Sequence, residues 1–171
     1  DVLGRIHDAA RDARADIITR ITADCPLISP QVIDEVVRKL VETGADYSAN
    51  TQTRTLPRGL DAEAFTSDSF DIVSKEATEP HHREHVTYFY TENPSRFECV
   101  SVGSRDIFEE EWMHGRSDLR LTLDEADDYE LLREVYDKVT YEDILDIRKG
   151  VKYIDDNELF KINQHVKQKS T

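Results

Sequence analysis

At 171 residues, with 38% hydrophobic and 34% charged residues, the chain is long enough to bury the core of one soluble domain. Its net charge is −14, with no block of lysine and arginine to offset it. That excludes duplex binding, which needs a basic face to replace counterions, but leaves open an anionic small substrate approached through a metal ion.

No apolar run approaches bilayer length, so no membrane association is expected, and no signal peptide is visible. Cys25 and Cys99 are too few for a disulfide framework and lack metal-ligand spacing. A reducing, cytoplasmic setting is expected. The only methionine is Met113, and the chain opens at Asp1 in a helical pattern already under way. A fragment or processed product is therefore expected.

Asp1 to Ala13 places Val2, Leu3, Ile6, Ala9, Ala10 and Ala13 on one helical side. Asp16 to Thr22 has the β-branched density of a buried, parallel strand. Ser29-Pro30 predicts an N-cap followed by proline at the first helical position, and the helix runs to Gly44. Ala45 to Asn50 reads as a second strand, and the strand–helix–strand succession predicts a crossover on a mostly parallel sheet. Thr51 to Leu60 is polar and aperiodic, a loop long enough to suggest function. It leads into Asp61–Phe65, which alternates as a strand with one wet face.

Ser67 and Asp68 cap a helix through about Ala77. His81 to Glu92 predicts another helix, ended by Asn93-Pro94. Phe97 to Val102 alternates as a strand, residues 105–117 form a charged loop around Trp112, and Leu119 to Leu123 reads as a clear strand ending in Asp124. Asp124 opens a patterned helix, a second helix follows over 141–149, and 155–166 suggests a short helix before a polar tail. The expected organisation is one domain over 1–171, with an excursion at 51–66 and a tail at 155–171.

Two strands thus end in an acid, Asp24 and Asp124. Carboxyl ends of strands line the binding crevice of an open α/β sheet, and two carboxylates there suit Mg²⁺, which takes oxygen ligands and keeps waters for phosphates. Structural alternatives stand beside this: Asp24 as an Asx-turn ahead of Pro26, and Asp124 as an N-cap with Asp127 at N3. Arg58-Gly59 suggests an anion clamp, since glycine admits close approach and arginine forks onto carboxylate or phosphate; a solvated turn is the plain alternative. His81, His82 and His85 do not lead to a transition-metal expectation, because no further ligand has fixed spacing and no H-E-x-x-H arrangement occurs. Arg83-Glu84-His85 reads instead as a polar cluster that holds a ligand.

The ordered motifs Asp1-Val2-Leu3-Gly4-Arg5, Arg20-Ile21-Thr22-Ala23-Asp24-Cys25-Pro26-Leu27-Ile28, Pro57-Arg58-Gly59-Leu60-Asp61 with Glu63, Arg83-Glu84-His85-Val86-Thr87 and Leu119-Arg120-Leu121-Thr122-Leu123-Asp124 resemble the SpsF-type spore-coat polysaccharide branch of the acylneuraminate cytidylyltransferases. The resemblance implies a nucleotide-diphospho-sugar transferase-like (Rossmann-like) α/β fold, a mostly parallel sheet flanked by helices, and a homodimer. It implies attack of a sugar hydroxyl on the α-phosphate of CTP, giving a CMP-sugar and pyrophosphate. Asp24 and Asp124 would ligate Mg²⁺, while Arg58, Asp61, Glu63, Arg83, Glu84 and His85 would line the side of an acidic sugar. Arg20 and Arg120 are structural candidates. The family's Leu-Pro-x-Lys phosphate loop has no counterpart here, so the fold is expected to be N-terminally incomplete. The alternative from the same fold is a non-catalytic sugar-binding or dimerisation module.

Overall fold

A computed structural model describes residues 1–167; positions 168–171 of the predicted tail lie outside the described residues. The elements in order are α1 (Val2–Ala13), β1 (Ile17–Arg20), α2 (Pro30–Thr43), β2 (Tyr47–Ala49), β3 (Glu63–Thr66), α3 (Ser67–Glu76), α4 (Pro80–His85), α5 (Tyr88–Glu92), β4 (Cys99–Ser101), α6 (Ser104–Ile107), α7 (Ala126–Lys138) and α8 (Ile147–Asp156). Single 3₁₀ turns lie at Glu111–Met113 and Leu159–Lys161. Two compact units emerge. The first holds Asp1–Arg20, Ile33–Thr53 and Ala62–Val102, the second Ile21–Val32, Arg54–Asp61 and the chain from Gly103 onward.

The first unit carries the sheet, in the order β1-β3-β2-β4. The sheet is mixed rather than mostly parallel: β3 runs antiparallel to both β1 and β2, and only β2–β4 is parallel. The reason lies in the connections. β1 and β2 share a direction, as the intervening helix α2 predicts, but β3 follows an aperiodic loop instead of a crossover helix and enters between them the other way. Glu63, Ala64 and Phe65 are all buried where one wet face is predicted: Phe65 packs into the core, and the Glu63 carboxylate is held by Tyr47, Thr87 and Arg20. Leu3, Tyr47, Phe65, Phe70, Val73, Val86 and Tyr90 form the core here, with the Tyr47 and Tyr90 rings stacked at 4.9 Å. Asp1 caps α1 by accepting from the Gly4 amide at 2.8 Å, and Gly44, at φ +70°, follows α2.

The predicted helix over 81–92 is two helices. Val86 sits at φ 61° between them, and its amide closes α4 on the His82 carbonyl at 2.9 Å. A positive φ is rare for a β-branched residue, and no feature of the sequence signals it.

In the second unit the predicted strand Leu119–Leu123 is held by a single parallel bridge between Arg58 and Arg120. The Arg58 amide donates to the Leu119 carbonyl at 3.1 Å and the Leu121 amide to the Arg58 carbonyl at 2.7 Å. The turn at Gly59 removes the chain before a ladder can grow. α7 is capped by Glu125, with Asp128 at N3, one residue beyond the predicted pair. α8 begins later than predicted because Asp146 is its N-cap, accepting from the Arg148 amide at 2.9 Å.

Candidate active site

The chain leaving β1 turns at Ala23-Asp24, and the turn is fastened to the extended run at 119–123. The Leu123 amide donates to the Asp24 carbonyl at 2.8 Å, and the Thr122 hydroxyl lies 3.2 Å from that carbonyl and 3.4 Å from Asp24 Oδ2. Beside it, Gly59 at φ +98° brings its backbone against the same run. A Cβ there would stand 2.4 Å from the Leu121 carbonyl carbon and 2.5 Å from the Thr122 nitrogen, so only glycine fits. Three main-chain segments therefore meet, and the side chains above them surround a concavity of about 300 Å³.

Its lining includes Thr22, Asp24, Cys25, Arg58, Asp61, Arg120, Thr122, Asp124, Glu125 and Lys167, all in the second unit. Four of the predicted site residues, Asp24, Asp124, Arg58 and Asp61, are thus brought together. Asp24 is half-buried, and among the described residues its carboxylate hydrogen-bonds only with the Thr122 hydroxyl and, at 3.9 Å, the Cys25 sulfur. Asp124 is more exposed and accepts from Arg120 Nη2 at 2.7 Å. Arg120 also forks onto Asp128 at 2.9 and 2.8 Å. Asp61 is gripped by Arg54 through two bonds of 2.6 and 2.9 Å.

The charges in this space are interlocked. Burial, then the Arg54 charge, lowers the pKa of Arg58, with Asp61 and Asp124 pulling it back. Hydrogen bonds to Asp128 and Asp124 raise that of Arg120 against the effect of burial. Burial pushes the Cys25 thiol up, with a further push from the Asp24 charge, so it remains a thiol of the wall and not a ready nucleophile. In a chain of net charge −14, Arg58, Arg120 and Lys167 make this a local gathering of cations beside carboxylates.

Glu63, Arg83, Glu84 and His85 lie in the first unit and are not among the lining residues. Glu63 is buried and accepts from Tyr47 Oη at 2.6 Å, Thr87 Oγ1 at 2.8 Å and Arg20 Nη1 at 2.5 Å, which accounts for Arg20. Its charge, with burial as the larger cause, raises the Tyr47 pKa. Arg83 bonds Asp1 and the Ser74 carbonyl, and the His85 ring stacks on Tyr88 at 4.8 Å. Glu84 is exposed.

Sequence reasoning missed Thr22, Cys25, Thr122, Glu125 and Lys167, took Arg120 as structural, and above all missed Asp128. The spacing of Arg120, Asp124 and Asp128 at four-residue intervals is the signal that was available for the last; Lys167 carries none.

Fold and site define an α/β protein with an acid- and guanidinium-lined recess. Residues 1–156 match the cytidylyltransferase family, and the chain belongs to it. It is 34% identical over 174 residues to an uncharacterized protein of Methanocaldococcus jannaschii, covering 99% of this chain and 66% of that one. It is 26% identical to the spore coat polysaccharide biosynthesis protein SpsF of Bacillus subtilis, covering 80% and 54% respectively. The chain thus spans between about half and two thirds of these relatives' lengths. Its fold is similar to a cytidylyltransferase structure from Leptospira borgpetersenii serovar Hardjo-bovis, with TM-score 0.84, 28% identity, and coverage of 98% of this chain and 68% of that one.

Proposed function

We propose that the protein transfers CMP from CTP to a hydroxyl of an acidic sugar, releasing pyrophosphate, in the synthesis of a polysaccharide or cell-surface glycan. The observation that carries this reading is the meeting of Asp24 and Asp124 with Arg58 and Arg120 around one recess, in a chain of the cytidylyltransferase family.

The donor set fits Mg²⁺. It offers hard carboxylate oxygens, and among the described residues the Asp24 carboxylate is engaged only through contacts of 3.4 and 3.9 Å. The ion ordinarily needs just one or two carboxylates, with waters and phosphates completing its shell. Asp24 and Asp124 would hold it, and when bound it supplies neutralisation of triphosphate charge. Arg58 presents a planar donor fork to an anionic oxygen of nucleotide or sugar. Asp61, its orientation fixed by Arg54, offers an acceptor for sugar hydroxyls. In the reaction the hydroxyl oxygen bonds to the α-phosphorus as the bond to the pyrophosphate oxygen breaks, and the hydroxyl proton leaves to a carboxylate or water.

Pyrophosphate release from CTP, Mg²⁺ and a panel of acidic sugars tests the reading. Asp24→Ala and Asp124→Ala should each lower turnover by about 100-fold or more, in line with losing a preorganised electrostatic group. Release that survives Asp24→Ala would overturn the assignment. Saturable sugar binding without turnover would instead favour the binding-module alternative.

A further inference from the structure

We propose that His81, His82 and Glu92 form a binding site for a divalent first-row transition ion, with Zn²⁺ the best chemical match. The two imidazoles and the carboxylate offer ligand atoms that all lie within 4.8 Å of one another. Nε2 of His82 and Nε2 of His81 face the same oxygen, Glu92 Oε2, at 2.6 and 3.4 Å. Bond lengths of about 2.0–2.1 Å put tetrahedral ligand atoms roughly 3.3 Å apart. The His81 pair already has that separation, at 3.4 Å, and the His82 pair, at 2.6 Å, reaches it by opening roughly 0.7 Å. Two nitrogens and one oxygen are a set that imidazole-preferring ions take, unlike the all-oxygen shells of Mg²⁺ and Ca²⁺.

Two further observations point the same way. The His82 side chain is only 9% exposed, and its ring is edge-on to Phe89 at 5.2 Å. A ring packed in this way holds Nε2 toward Glu92, so the nitrogen that would take the ion is positioned before the ion binds. The second observation is the backbone at Val86. Its φ of 61° ends α4, so that α5 carries Glu92 back to the histidines. Strain of this kind persists where surrounding structure enforces it and is concentrated at ligand clamps. His81 and Glu92 are 47% and 49% exposed, giving the ion access and leaving coordination positions for water.

This site is independent of the reading of the acidic recess. The test is a Co²⁺ titration of the full, untagged chain, read by visible d–d absorption and followed by Zn²⁺ displacement. It is run in an Asp24→Ala background to keep ions from that recess. One ion per chain is expected, with affinity lowered by about tenfold or more in His81→Ala and in Glu92→Gln, on the scale of lost support at metal sites. His85→Ala, whose ring stacks on Tyr88, should bind as tightly as the parent. Because His81 and Glu92 are half exposed, their variants keep the test decisive even if a change at buried His82 unfolds the chain. Absence of the d–d bands, or equal affinity in His81→Ala and Glu92→Gln, would reduce the cluster to a helix clasp and overturn the proposal.

Discussion

Asp128 is fully buried, and its two oxygens accept from Arg120 twice, from Asn163 at 2.8 Å, and from the amides of Asp124 at 3.1 Å and Glu125 at 3.0 Å. Burial alone would raise its pKa; the bonds from Arg120, Asn163 and the two amides more than reverse this, and the net shift is downward. A depressed folded pKa means stability that is present above the ordinary aspartate value of about 3.9 and lost as pH falls through the folded value. Asp128→Asn should lower the unfolding free energy by about 1–3 kcal/mol, since the half-buried Arg120 guanidinium keeps Asp124 but loses the ionised partner onto which it forks. It should also flatten the acid limb of stability below about pH 4. Urea melts across pH measure both, and an unchanged acid limb would show that another carboxylate governs it. Asp124, held by the same guanidinium but exposed, contributes far less to folding and is correspondingly available for ligands.

At the scale of elements, the turn at Gly59 controls whether the extended runs stay in register. Gly59→Ala forces a left-handed φ on a residue with a Cβ and drives that carbon into the Leu121–Thr122 backbone. The cost should be about 2–5 kcal/mol, combining backbone strain with overpacking, and nucleotide affinity should fall with it. A change below about 0.5 kcal/mol, the scatter of neutral surface changes, would mean that the 121–122 segment can retreat. The elements themselves were largely legible. Apolar spacing located α1, α2 and α7, and acids after β-branched runs pointed to Asp24 and Asp124. Pairing partners were not legible. Whether a strand enters between two others, as β3 does, depends on long-range contacts absent from local pattern. For the same reason Leu119–Leu123, with strong β-propensity, became a lone bridge. Glu92 could not be matched to His81 and His82 from spacing either, because the reversal at Val86 runs against that residue's own preference.

For the whole molecule the relevant quantity is its net charge of −14. Self-repulsion of that size opposes compaction, while on the proposed function the cations of the recess would attract an anionic nucleotide. Salt screens both. Raising ionic strength from about 0.01 to 0.15 M, which shortens the Debye length from about 30 to 8 Å, should therefore raise Tm while weakening CTP binding. Thermal melts and equilibrium binding over the same series check the opposite signs. A Tm that falls would show that surface ion pairs such as Arg96–Glu76 outweigh the net repulsion.

The bridge between Arg58 and Arg120 is made of main chain, and that separates shape from chemistry. Replacing a side chain at Arg58 or Asp61 would change the groups the recess presents while leaving its main-chain floor in place. Position 120 lacks that freedom, since its guanidinium also serves Asp128, and position 59 has none. On the proposed function, adaptation to a new acceptor would be channelled through single substitutions at the first pair of positions, with the main-chain floor retained.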